Sequence, residues 1–219
     1  MVDDWIAHTP KSVLAQNFGL NESVFSTIPT PDPYILNATA PTNPQLSNST
    51  SGLFSNSSYV FHNSNNSASV PVPGGGGHLS IVDSRNFPIA KTIAAAIVTL
   101  SPGGLRELHW HPNAEEWLYF SKGHARATTF IGGANARTFD FSAGDTAVFP
   151  DNSGHYIENT SQTEDLVWIE IYKSDRVADI SLTQWLALTP VEIVAQTLKL
   201  PVSVVQNLKK QKQLLIKGN

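Results

Sequence analysis

His109, His111, Glu116 and His155 are the residues of this 219-residue chain whose types and spacing best suit chemistry. Side chains on a β-strand alternate between faces, so His109 and His111 in His109-Trp110-His111 point the same way. Pro112-Asn113-Ala114 reads as a turn that brings Glu116 back beside them on the next strand. Thr146-Ala147-Val148-Phe149 reads as a later strand, followed by a loop ending at His155. Three imidazoles and one carboxylate suit a divalent first-row metal and leave coordination positions open for a substrate. Glu116 is preferred to Glu115 because it shares strand parity with Leu118 and Phe120. The competing reading is a chance gathering of structural histidines. His8, His62, His78 and His124, each standing alone, read as satisfied core residues.

The elements that must position this set lie between His78 and Ser174, where the text is all β. Apolar runs such as Ile93-Ala94-Ala95-Ala96-Ile97-Val98 and Leu166-Val167-Trp168-Ile169 alternate with Gly, Pro, Asn and Asp turn signals. Closely spaced strands of this sort suit a jelly-roll barrel. Residues 175–219 form a C-terminal tail, helical over 181–208, and residues 1–28 are helical as well. Between them, 29–77 is rich in Asn, Ser, Pro and Gly, a composition that buries little surface and reads as an extended linker or arm. Tyr34-Ile35-Leu36 and Tyr59-Val60-Phe61 are the places where it could be pinned, and Gly74 to Gly77 reads as a flexible joint.

The two helical ends repeat each other. Trp5-Ile6-Ala7-His8-Thr9-Pro10 matches Trp185-Leu186-Ala187-Leu188-Thr189-Pro190, and nine of the 21 positions from Trp5 to Phe25 are identical at an offset of 180 residues. Each copy is predicted to start a helix with Thr as N-cap and Pro at the first helical position, with Glu192 completing a capping box on Thr189. Residues 1–28 therefore resemble the tail of a preceding unit, and the chain the second half of a two-barrel protein.

A formal charge of −4, with no basic run interleaved with aromatics, gives no reason to expect nucleic acid as a partner. No apolar run has the length of a membrane span. Lys209-Lys210-Gln211-Lys212 reads as a solvated end. There is no cysteine, so the redox compartment stays open. Asn21, Asn37, Asn48, Asn56, Asn65 and Asn159 each stand in Asn-X-Ser/Thr, which leans toward a secreted glycoprotein even though an Asn/Ser-rich stretch generates such triplets by chance.

These residues also carry a resemblance. Gly103, His109-Trp110-His111, Glu116 and Gly123 resemble the first signature of the cupins, and Gly144, Pro150, His155 and Asn159 the second, with Asn152 where the pattern usually has Gly. The family's pattern tolerates either Glu spacing. Leu105 to Asn113, Gly154 to Asn159 and Ala178 to Ala187 resemble the second cupin of the bicupin oxalate decarboxylases. The resemblance implies an all-β cupin jelly-roll barrel with flanking N- and C-terminal helices. It implies Mn(II) held by His109, His111, Glu116 and His155, with dioxygen as co-catalyst, and cleavage of oxalate or a similar small dicarboxylate to formate and carbon dioxide. It further implies a homo-oligomer, or packing against another cupin domain.

Two more residues follow. Glu170 stands in the apolar strand Leu166-Val167-Trp168-Ile169-Glu170-Ile171-Tyr172, where a carboxylate is costly to bury unless paired, metal-bound or protonated. A buried carboxyl with a raised pKa is what a general acid near neutral pH requires; the alternative is a strand-end Glu reaching solvent or an Arg. By resemblance, Glu170 handles the proton and Arg106 holds and polarises oxalate. Arg106 is three residues before His109, so strict alternation puts it on the opposite face unless a bulge intervenes, which Gly103-Gly104 would permit. Arg126 and Arg137 read as surface or pairing residues. After Glu170 the chain reads Lys173-Ser174-Asp175-Arg176-Val177-Ala178, without the Ser-Glu-Asn-Ser lid of the family's first cupin. Three other readings compete: a structural, assembly-forming metal domain, an oxalate oxidase, and a cupin dioxygenase or sugar-phosphate isomerase.

Overall fold

A computed structural model describes residues 2–28, 59–63, 70–71 and 73–218. By its internal contacts the chain divides into two units, Met1–Ser49 and Thr50–Asn219. The larger unit is built from strands with period-two burial. In β10 (Leu166–Tyr172), Leu166, Trp168, Glu170 and Tyr172 are buried and their neighbours only partly so. The same alternation runs through β3 (Ala94–Leu100) and β5 (Glu116–Lys122). With β1 (Val70–Pro71), β2 (Gly77–Val82) and β8 (Thr146–Phe149) they form one sheet in the order β1-β2-β3-β10-β5-β8. The second sheet takes β4 (Leu105–Trp110), β6 (His124–Gly132), β7 (Asn135–Ser142), β9 (Gly154–Asn159) and β11 (Ile180–Ser181) in the order β11-β4-β9-β6-β7. A last strand, β12 (Leu215–Ile216), also pairs with β4, and every pairing is antiparallel.

Inward side chains of both sheets meet in one core: Val98, Leu118 and Trp168 from the first, Ala127 and Ile157 from the second. This is the all-β barrel the residue pattern predicts. Alongside this apolar filling His109, His111, Glu116, His155, Arg106 and Glu170 are buried as well. Gly123, at the turn from β5 to β6, has φ +84°, and a Cβ there would stand 2.7 Å from the Asp165 carbonyl oxygen, so the position needs glycine twice over.

The helical tail comprises α3 (Leu182–Leu188), α4 (Val191–Leu198) and α5 (Val202–Gln206). The smaller unit holds α1 (Val2–Ala7), α2 (Lys11–Phe18) and a 3-10 turn over Glu22–Phe25. The 180-residue repeat recurs as hydrogen bonds. The hydroxyls of Thr9 and Thr189 donate to the Trp5 and Trp185 carbonyls at 2.7 and 2.8 Å. The amides of Leu20 and Leu200 donate to Ala15 and Ala195, both at 3.0 Å. These bonds also correct the capping prediction. Both threonines close the preceding helix, satisfying its orphan carbonyls, and α2 and α4 start after Pro10 and Pro190 without a side-chain cap.

Four other expectations change. His8, His62, His78 and His124 are exposed rather than core residues. Gly74 to Gly77 is a tight seat rather than a joint: a Cβ at Gly74, Gly76 or Gly77 would collide with the backbone of Leu215, Ile216 or Thr99 at 2.0–2.4 Å. Lys212 is not a solvated end, since its ammonium pairs with Asp179. Asn159 is buried, and its Nδ2, the atom a glycan would occupy, donates to Leu100, Ser101 and Glu164 carbonyls. Asn37, Asn48, Asn56, Asn65 and Tyr34-Ile35-Leu36 lie outside the described residues; Phe61 packs on Phe87 with ring centroids 5.5 Å apart.

Candidate metal centre

β4 delivers His109 and, just beyond its end, His111; β5 opens with Glu116; β9 contributes His155, paired directly with His109. One nitrogen or oxygen from each of the four lies within 4.8 Å of the others, and all four side chains are buried. Glu115 is exposed, so the structure brings together the four residues in which Glu116 is the carboxylate. Asn152, at the turn before His155, adopts φ +59°, a left-handed conformation that Asn tolerates better than most residues and Gly best. Its amide donates to the His111 carbonyl at 2.9 Å, tying the turn to the site.

Each imidazole is fixed from behind. Nδ1 of His109, His111 and His155 faces the carbonyl oxygens of Glu107 (2.6 Å), Ala178 (2.7 Å) and Ser153 (3.0 Å). A carbonyl only accepts, so Nδ1 carries a proton and Nε2 is the nitrogen each ring turns inward, able to donate to Glu116 without a metal and to ligate one as a lone pair. Nε2 of both His111 and His155 lies 2.9 Å from Glu116 Oε2, while His109 Nε2 and Glu116 Oε1 are buried without a partner. Converging lone pairs require a cation between them, so the donor set fits a divalent metal of borderline softness. Burial, and then the charges of Arg106 and the other two histidines, push His109 far below its ordinary pKa, which keeps its lone pair free. Burial works against the Glu116 charge, yet the hydrogen bonds from His111 and His155 hold it well below the usual carboxylate range.

Arg106 reaches the same interior, though the bulge lies elsewhere than at Gly103-Gly104. Arg106 pairs with Ile157 and His109 with His155, so three steps on β4 match two on β9. The extra residue falls at Glu107-Leu108 and returns Arg106 to the inward face. Its Nη2 donates to Asp179 Oδ2 at 2.6 Å, while Nε and Nη1 are buried without a partner. Glu170, inward on β10, accepts from Trp168 Nε1 at 2.9 Å and from the Tyr172 hydroxyl at 2.7 Å. That hydroxyl lies 3.4 Å from His111 Nε2 and links the carboxyl to the metal ligands. Burial, aided by the Glu116 charge, pushes Glu170 up to about 7, and no cation bonds to it among the described residues. Arg126, by contrast, is a surface residue paired with Asp140 at 2.7 Å.

Sequence reasoning missed Tyr172, Asp179 and Lys212. Tyr172 is legible in retrospect, because it shares strand parity with Glu170. Asp179 and Lys212 carry no local signal, since Asp179 pairs with Arg106 and Lys212 with Asp179, each remote in the chain.

A family profile for the cupins matches residues 62–206, and the chain belongs to the cupin family. It is 58% identical over 216 residues to a probable oxalate decarboxylase of Arthroderma benhamiae, covering 99% of this chain and 53% of that protein. It is 42% identical over 214 residues to the oxalate decarboxylase OxdC of Bacillus subtilis, covering 98% and 55%. The solved structure of the Bacillus subtilis oxalate decarboxylase at pH 4.6 superposes with a TM-score of 0.89 at 39% identity, covering 100% of this chain and 56% of that one. Another structure of that enzyme, from work on the EPR parameters of its Mn(II) centres, has the same TM-score and identity, with 100% and 57% covered. The chain thus spans about half the length of the relatives it matches.

Proposed function

We propose that this chain is the metal-bearing barrel of a two-barrel oxalate decarboxylase, converting oxalate to formate and carbon dioxide with Mn(II). One observation carries the reading. A buried arginine with two unpartnered nitrogens and a buried carboxyl bound to no cation among the described residues lie close enough to feel each other's charge and that of the metal-ligand set. The names of the relatives at 58% and 42% identity support the same substrate.

His109, His111, Glu116 and His155 would hold the metal, which when bound supplies Lewis-acid chemistry and, with dioxygen as co-catalyst, one-electron redox chemistry. Arg106 offers its unpartnered Nε and Nη1 donors to oxalate, which orients the dianion and draws charge toward the arginine. Glu170, still protonated at mildly acidic pH, gives its proton to the carbon that keeps the electrons of the broken carbon–carbon bond. One oxalate dianion and one proton thus yield one carbon dioxide and one formate. Tyr172 and Trp168 hold the carboxyl in place. Without proton delivery to carbon, both carbons leave as carbon dioxide, and the two electrons pass to dioxygen, which takes two protons from solvent to give hydrogen peroxide. The wider reading is a secreted glycoprotein that assembles with further cupin barrels. Exposed Asn21 supports the first part, and exposed Trp5 and Trp185 support the second.

The test is formate release from oxalate by the purified, Mn(II)-filled chain under air, beside Glu170→Ala. Formate that vanishes in the variant, with peroxide rising, supports the reading. A folded, metal-filled wild-type chain that releases none assigns turnover to another barrel.

A further inference from the structure

Arg106 is a buried cation whose orientation must be set by something other than substrate. Two carboxyls compete for it: Asp179, bonded to Nη2 at 2.6 Å, and Glu170, close enough for its charge to be felt. Were the guanidinium to turn onto Glu170, it would spend its unpartnered donors and take up the carboxyl assigned to proton transfer. A second cation prevents this. Lys212 binds the other Asp179 oxygen, and its Nζ also donates to the Asp179 backbone carbonyl at 3.0 Å. Lys212 is itself anchored by the strand that follows. In β12, Leu215 and Ile216 pair with Arg106 and Leu105, and the glycine seat clasps β12 from the other side, with Gly76 N donating to Leu215 O at 2.9 Å.

We propose that Asp179 and Lys212 are positioning residues for Arg106, a charge clamp closed by the C-terminal strand that holds Nη2 and leaves the Nε and Nη1 donors free to bond a small carboxylate. The substrate half of this inference rests on Arg106 being the residue that binds oxalate; the clamp itself does not. An arginine bonded to a fixed carboxylate loses rotation about its Cζ–Nε bond, and that loss can be measured without substrate. Asp179 contributes nothing to the metal ligands directly, so breaking the clamp leaves metal stoichiometry unchanged.

The experiment compares the full chain with Asp179→Ala, Asp179→Asn and Lys212→Met, using Arg106→Lys to assign the arginine signals. In the metal-free protein, nitrogen-15 NMR is expected to resolve the Arg106 Nη groups separately in the wild type. They merge in Asp179→Ala and broaden in Lys212→Met, which keeps the arginine–aspartate pair but loses its anchor. Calorimetry with oxalate on the Mn(II)-filled proteins is expected to show affinity about 10–100-fold weaker in Asp179→Ala, the range for losing a charge-assisted hydrogen bond. Asp179→Asn, which keeps an acceptor oxygen, lies between. A merely structural role would lower melting temperature across the series and leave the arginine spectrum and oxalate affinity alone; that result overturns the proposal, as do separate Nη signals in Asp179→Ala. If the signals merge as expected while even the wild type binds no oxalate, the clamp stands and the substrate reading fails.

Discussion

Glu170→Gln, in the metal-free chain, tests whether the barrel stores a proton where decarboxylation needs one. Glutamine copies the protonated acid: one oxygen accepts from Trp168, and the other position becomes a donor toward Tyr172. Wild-type Glu170 has its folded pKa raised from 4.5 to about 7, chiefly by burial. A raised carboxyl costs nothing below its unfolded pKa, costs more as pH climbs toward the folded value, and is constant above it. At ~1.4 kcal/mol per unit the penalty is about 1 kcal/mol near pH ~5.5 and about 3 kcal/mol near pH ~8. The variant escapes it, so its stability relative to wild type should rise by ~2 kcal/mol between those pH values, or ~4–8 °C in melting temperature for a chain of this size. Glu116 and Asp179, held well below the usual carboxylate range, pull the other way by losing stability as pH falls. Both proteins carry them, so they cancel in the difference. The assay is urea unfolding of both proteins across that range. A difference that does not change with pH would falsify the assignment of Glu170 as a stored acid.

Three further outcomes are expected. His109→Ala should leave less than about a tenth of the wild-type Mn(II) content, and removing metal from the wild type should lower its melting temperature, since metal at ~100 times its dissociation constant contributes about 2.7 kcal/mol. Asn159→Ala, which deletes the two Nδ2 donors shared among three carbonyls and the bond Oδ1 accepts from Ser161 N, should cost ~3 kcal/mol, and mass spectrometry of the chain from a glycosylating host should find no sugar at Asn159. Gly123→Ala should cost more than ~1 kcal/mol, because it meets a left-handed backbone and the Asp165 carbonyl together; thermal melting reads it.

Why some of the fold and site is legible in the sequence and some is not follows from distance along the chain. Period-two burial is a local property, and it shows in Leu166–Tyr172 and Ala94–Leu100 as plain text. The i, i+2 histidines inherit the same rule, so their spacing alone places His109 and His111 on one face. Arg106 marks the limit of parity: one inserted residue in β4 inverts it, and which residue is inserted depends on the pairing with β9. The glycines at 74–77 look flexible by composition, yet they are ordered by contact with a strand about 140 residues later. Lys212 misleads for the same reason, its partner being Asp179 and not water. The isolated histidines err in the opposite sense, since nothing local tells an exposed imidazole from a buried one.

The chemistry follows from the separation of two carboxyls that the barrel encloses together. Glu116 and Glu170 are both buried, and desolvation alone would raise both. Glu116 escapes because the Nε2 atoms of His111 and His155 converge on one of its oxygens, which makes it a ligand. Glu170 does not escape. Its partners are the neutral Trp168 and Tyr172, and the nearby guanidinium of Arg106 is already bonded to Asp179. The Glu116 charge then adds to the burial of Glu170. Ionising the ligand is thus part of what keeps the acid protonated, and a metal that neutralises Glu116 must lower the Glu170 pKa. Titration of Glu170 by carbon-13 NMR, with and without a diamagnetic divalent ion such as Zn(II), should show the midpoint falling on metal binding; an unchanged midpoint would mean that the two carboxyls do not sense each other.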